Sequence, residues 1–227
     1  MSVKQKIRRS GFAPVAALCA TALLAACSGG GEGRDGPELI RNAVVERFGP
    51  NGRGPVRVTP AQVQQLTARA TNALILIDFP KTQSNAVLVR IGQNRSVETY
   101  ATAARQTLSM ENGLLRGTRG MGGDLMSADL GRLPQLIARR QSGSTQREVR
   151  ILNGEDITVR QQFSCDVAVT GTGGAPRVTT MTENCTQQNG NIRFTNTYDV
   201  DGQGRVVSSD QWASNYLGQV KIQQLRF

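Results

Sequence analysis

The sequence predicts a mainly β domain: an antiparallel curved sheet, folded as a sandwich or half-barrel, with one or two short N-terminal helices. Three observations carry this expectation. Short apolar or alternating segments rich in Val, Ile and Thr recur from Ala73 to the end of the chain. Clusters of Gly, Asn, Asp and Pro separate them. The three-to-four spacing of a helix is confined to a few short stretches.

The first helical stretch is PELIRNAVVERF, residues 37–48, where Leu39, Ile40, Ala43, Val44 and Phe48 share one face. In the second, Thr59 stands at the N-cap, Pro60 at the first helical position and Gln62 at the third. This capping-box arrangement opens a helix that runs to about Ala70. The pattern then changes period. ALILIDF (73–79) is an apolar run, Val87, Val89 and Ile91 alternate, and 96–110 holds two further strands. REVRIL, DITVRQQFSCDVAVTG, RVTTMTENC, NIRFTNTYDV and RVVSSDQWAS continue the series. In the last strand, 218–227, Val220 and Ile222 alternate, then Leu225 and Phe227 do so after a one-residue slip, which predicts a bulge. DLGRLPQLIARR (129–140) predicts a short helix or helical turn.

The amino terminus decides the compartment. Lys4, Lys6, Arg8 and Arg9 precede the apolar run FAPVAALCATALLAA, with no acidic residue among them. This is the pattern of a secretory signal, too short and wrongly flanked for a membrane span. It ends in Leu24-Ala25-Ala26-Cys27, a bacterial lipobox, so residues 1–26 read as a lipoprotein signal peptide and Cys27 as the acylated residue. Ser28 follows, and likeness to other bacterial lipoproteins implies sorting to the outer membrane, facing the periplasm. Residues 27–37 contain SGGGEGRDGP, a flexible tether, and residues 38–227 form one β-rich domain.

Composition narrows the chemistry. Discounting the four basic residues of the signal, 23 basic against 17 acidic side chains leave a net charge of +6. That sign suits acidic glycans or lipid phosphates, and the compartment argues against nucleic acid. Cys165 and Cys185 are the two cysteines left after the signal and the acyl site, and an oxidising periplasm makes them a disulfide. The chain has no histidine, which removes the Ser-His-Asp and Cys-His arrangements and leaves a zinc site short of ligands. The acidic residues are scattered, so no carboxylate pair announces itself. No catalytic residue, metal or cofactor is therefore expected.

Two local motifs invite a second reading. Asp199-Val200-Asp201-Gly202-Gln203-Gly204, with Asp210 at the twelfth position, resembles the start of a calcium loop. Its strand-like flanks and the absence of a closing Glu fit a glycine-containing hairpin turn instead. Trp212, the only tryptophan, and Tyr216 lie beyond it, and an exposed aromatic pair there would stack on a sugar face; core or rim packing is the ordinary use.

The stretch GLLRGTRGMGGDLMSADL, residues 113–130, matches neither a Walker nor a Rossmann phosphate loop. Its glycines call for repeated positive φ, as in a glycine-bent turn holding two strands. Gly113-Leu-Leu-Arg-Gly-Thr118-Arg-Gly120-Met121, followed by Asp124-Leu125, resembles the signature of the YjbF/GfcB-type lipoproteins of capsule and exopolysaccharide loci. The lipobox agrees, as does Ser209-Asp210-Gln211-Trp212 leading to Gly218 and Val220-Lys221-Ile222. Met121 stands where the family usually has leucine, and Leu114 where a basic residue is frequent. The resemblance implies a mostly β outer-membrane lipoprotein accompanying polysaccharide secretion or assembly, with export-system proteins as partners.

Two alternatives stay open beside it: a lipid- or protein-holding module of the envelope, and a polysaccharide-modifying enzyme using carboxylates. For contact with an acidic glycan or a partner, the candidates are Arg116, Thr118, Arg119, Asp124 and Trp212. The arginines would fork to carboxylates and the aspartate would accept hydroxyl protons.

Overall fold

A computed structural model of the chain describes residues 57–155, 157–173 and 177–227. The signal segment, Cys27, the tether and the helix expected over 37–48 lie outside these residues.

The first described helix is α1 (Pro60–Arg69), with the capping box expected at its start. The Gln62 N–H donates to Thr59 Oγ1 at 3.3 Å, and the Thr59 N–H donates back to Gln62 Oε1 at 2.9 Å. Twelve strands follow: β1 (Leu74–Phe79), β2 (Ser84–Asn94), β3 (Val97–Ala101), β4 (Thr107–Glu111), β5 (Leu114–Arg119), β6 (Leu125–Asp129), β7 (Gly143–Leu152), β8 (Thr158–Gly173), β9 (Val178–Gln187), β10 (Arg193–Val200), β11 (Val206–Ser214) and β12 (Gly218–Arg226). The second helix, α2 (Leu133–Arg139), lies between β6 and β7 where a helical turn was expected.

All twelve strands belong to one antiparallel sheet, in the order β5-β4-β3-β2-β1-β12-β11-β10-β9-β8-β7-β6. Chain neighbours pair throughout, except that β1 meets β12 and the two edges are β5 and β6, which are consecutive in sequence. The sheet therefore has to curl until its edges meet, and it forms a nearly closed barrel-like structure, a single continuous sheet rather than a two-sheet sandwich. The expected bulge near the end of the chain is present. Leu74 pairs with Arg226 and Ile75 with Gln224, which leaves Leu225 as the extra residue.

The apolar run of β1 has a physical reason. Ile75 and Ile77 face the barrel interior, while Leu74 and Leu76 face outward and are covered by Val63 and Leu66 of α1. Elsewhere strands alternate because one face meets solvent: in β10, Phe194, Asn196, Tyr198 and Val200 are buried and the residues between them are less so. The interior is packed by Tyr100, Leu108, Met110, Leu115, Phe163, Met181, Tyr198 and Trp212, among others.

Because the strands alternate in direction, turns fall alternately at the two ends of the barrel. At one end lie the turns around 80–83, 102–106, 120–124 and 215–217. At the other, α2 packs near the β10–β11 turn, where Arg140 donates to the Asp201 carbonyl at 2.7 Å.

Candidate functional site

The stretch at 113–130 is the seam of the barrel. It contains both edge strands, β5 and β6, and the turn at 120–124 between them. Among the described residues no backbone ladder joins the two; side chains do the joining. Thr118 Oγ1 donates to Asp124 Oδ1 at 2.8 Å and accepts from the Leu125 N–H at 3.0 Å. The Asp124 carboxylate also accepts the N–H groups of Gly120 (2.8 Å) and Met121 (3.1 Å). Arg119 reaches across the seam and donates to the carbonyls of Leu125 (3.2 Å) and Met126 (2.9 Å). These bonds occupy edge groups that would otherwise be open to another strand.

The inner side of the seam is held from across the barrel. Gln211 of β11 accepts from the Leu115 N–H at 2.9 Å and donates to the Gly113 carbonyl at 2.8 Å. Gln211 is fully buried, so its amide replaces the strand partner that this part of β5 lacks.

Against this geometry the residues proposed for glycan or partner contact separate. Thr118 and Asp124 are buried, 1% and 8% exposed, and are bonded to each other, so they are not a surface contact. Trp212 is likewise buried, at 7% exposure. The β11–β12 register shifts at 212–214, and its ring stacks on Phe194 with centroids 4.5 Å apart and meets Phe163 edge-on at 5.6 Å. Arg116 is the unpaired residue of a bulge in the β4–β5 pairing, and its guanidinium bonds Glu111 at 3.1 Å. Arg119 is exposed but committed to the seam. The five do not converge on one surface.

The calcium reading of 199–210 is also replaced by the hairpin. Asp201 accepts the N–H groups of Gln203 and Arg205, each at 2.9 Å, and pairs with the Arg205 guanidinium at 2.8 Å. Partial burial pushes the Asp201 carboxyl up, but these donors outweigh it and hold the group below its usual range. Asp210 lies on β11, paired in register with Lys221.

Cys165 and Cys185 form the expected disulfide, directly opposite each other on β8 and β9 with Cα atoms 4.1 Å apart. Both are 2% exposed, inside the barrel. Beside them is a polar cluster that sequence reasoning missed. Arg147, Glu183, Asn196 and Tyr198 are at most 2% exposed, and Glu183 Oε2 accepts from Arg147 (3.1 Å), Asn196 (2.6 Å) and Tyr198 (2.7 Å). Burial, then the Glu183 charge, pushes the Tyr198 hydroxyl well above its ordinary range, so it stays a donor. Burial works against the charge of Arg147, but Glu183 and Tyr198 more than offset it. Asn196 Oδ1 in turn accepts the Trp212 N–H at 2.7 Å, which ties the cluster to the bulge that turns the tryptophan inward. The inward positions of β9 and β10 were visible as alternation; that three of them are polar and meet Arg147 of β7 was not.

Among the described residues, a curled antiparallel sheet with a packed apolar core and edges joined by its own side chains defines a barrel-like β domain. The chain belongs to the family described as group 4 capsule polysaccharide lipoprotein gfcB, YjbF, which matches residues 40–225. No curated protein matches it. Among solved structures it is similar to the hypothetical lipoprotein YmcC from Escherichia coli (K12), with a TM-score of 0.64 and 16% identity over 73% of this chain and 88% of that one. At that identity the likeness is one of fold.

Proposed function

We propose that the protein is a noncatalytic lipoprotein, anchored through Cys27 in the outer membrane and facing the periplasm, that assists assembly or secretion of a capsule or exopolysaccharide. It does so by engaging an export partner or the acidic glycan itself. The observation that carries this reading is membership of the capsule-lipoprotein family over residues 40–225, joined to the lipobox at 24–27.

The geometry supports a binding role over the two alternatives. A module that holds an acyl chain needs an open apolar concavity, whereas among the described residues Phe163, Phe194, Trp212 and Tyr198 pack together in the interior. A carboxylate hydrolase needs two acids facing one cleft. Glu183 is enclosed in the interior, where its Oε2 accepts three donors, and Asp78 of β1 and Asp210 of β11 stand in register on either side of Lys221 of β12.

The test is a deletion strain assayed for the amount and length of surface polysaccharide. Loss restored by the wild-type gene, and not by Cys27→Ala, is expected; unchanged polysaccharide after deletion overturns the reading.

A further inference from the structure

Tyr216 is the most exposed large apolar or aromatic side chain among the described residues, at 66%, yet it is held in place. It sits between β11 and β12 and lies against Gly122 and Gly123 of the seam turn. A Cβ built on Gly123 would fall 2.3 Å from Tyr216 Cβ, and one on Gly122 would fall 3.2 Å from ring atom Cε1. Both glycines have positive φ, +78° and +57°. Bare backbone at these two positions is what lets the ring rest on the turn.

The two turns are also bolted together. Ser214 Oγ donates to the Gly123 carbonyl at 2.9 Å and accepts the Leu217 N–H at 3.0 Å. Lys81, from the β1–β2 turn, donates to the carbonyls of Asn215 (3.1 Å) and Tyr216 (2.6 Å), with its Nζ 5.6 Å from the Tyr216 ring centroid. An ammonium has three N–H groups, so among the described residues one remains uncommitted, with the Nζ over the ring. Arg105, on the β3–β4 turn, lies at the same end of the barrel.

We infer that Tyr216 and Lys81 form a docking platform for a polysaccharide whose repeating unit carries a carboxylate. The apolar C–H face of a pyranose stacks on the ring. A carboxylate at its C5 then lies about one sugar-ring width from the stacking centre, a span comparable with the 5.6 Å between Lys81 Nζ and the ring centroid. A neutral sugar would stack without using the cation, and a phosphate would use the cation without the ring. The platform gives the acidic-glycan form of the proposed function a location and rests on that reading.

The test uses the full-length lipoprotein solubilised in detergent and applied to immobilised polygalacturonate, with dextran as the neutral control. Retention on polygalacturonate that falls as salt rises, and no comparable retention on dextran, is expected. Tyr216→Ala should weaken it about tenfold, Tyr216→Phe should leave it intact, and Lys81→Gln should weaken it several-fold and flatten the salt dependence, each read on folded protein. Lys81→Gln keeps the test valid if Tyr216→Ala loosens the turn. Wild-type retention by either of these two variants when folded, equal binding of dextran, or no binding of polygalacturonate overturns the platform. Those failures are separable from failure of the secretion role, because the deletion strain reads the role without reference to Tyr216.

Discussion

Thr118 and Asp124, six residues apart, close the barrel: the hydroxyl of one edge strand donates to the carboxylate that opens the other at 2.8 Å. The same carboxylate accepts two backbone N–H groups of the intervening turn. Replacing Asp124 with Ala would remove the acceptor of the buried Thr118 hydroxyl and of the partly buried Gly120 and Met121 N–H groups. A loss of about 3 kcal/mol is expected. Urea unfolding of the purified protein measures it, and a loss below about 0.5 kcal/mol would mean that the seam does not depend on this carboxylate.

The interior ion pair gives a second prediction. Glu183→Ala leaves Arg147 charged and enclosed without its acid and should destabilise by about 3–5 kcal/mol. Substituting Arg147 and Glu183 together by Met and Leu should cost far less, because both desolvated charges leave at once. Unfolding free energies of the two variants separate the outcomes, and equal costs for the single and double changes would contradict the pairing.

The disulfide gives a third. Cys165 and Cys185 close a loop of about twenty residues, so replacing both with Ser should cost about 3 kcal/mol. Since both sulfurs are enclosed, the bond in the folded protein should resist dithiothreitol that reduces it at once in urea. Thiol trapping with mass spectrometry checks this; rapid reduction of the folded protein would place the bond at an accessible surface.

Alkaline pH gives a fourth. Burial, then the neighbouring Glu98 carboxylate, pushes the Tyr100 hydroxyl up to about 12. A raised value means that the folded state holds this proton more tightly than the unfolded chain. The stability it contributes is complete below about pH 10 and is lost as pH rises toward about 12. Tyr100→Phe should flatten that part of the stability profile, as followed by urea unfolding at pH 9, 10.5 and 11.5. An unchanged slope would assign the alkaline loss elsewhere, with Tyr198 the next group to replace.

Much of the fold was legible in the chain, for definable reasons. The capping residues Thr59, Pro60 and Gln62 act within one turn, so the start of α1 could be read locally. The slip between Ile222 and Leu225 marks a bulge because side-chain alternation has a period of two, and one extra residue must break it. The disulfide followed from the cysteine count and the expected compartment. The strand character of β5 was harder to read, because Gly117 and the bulged Arg116 interrupt its alternation.

The candidate site was legible as a marker and not as a mechanism. The stretch 113–130 stood out by its glycines, its charges and its likeness to a family, and its residues suited both a glycine-bent turn holding two strands and a ligand contact. Thr118, Asp124 and Arg119 bind the edge they belong to. Trp212 was expected either in the core or at a sugar, and neighbours sixteen to forty-nine positions away, Asn196 and Phe163, decided for the core.

What the sequence determined by itself is what short-range chemistry controls: the predominance of antiparallel strands, the caps, the bulge and the family. What only the tertiary structure decided is where the chain's two sheet edges meet. Closure pairs groups through space, β5 against β6 from outside and Gln211 from within, and it assigns each polar side chain either to the seam or to the surface. Local pattern cannot make that assignment, because an unpaired strand edge and a ligand-binding loop ask for the same donors and acceptors. Once the seam had taken Thr118, Asp124 and Arg119, Tyr216 was left outside on its bed of glycine with Lys81 beside it.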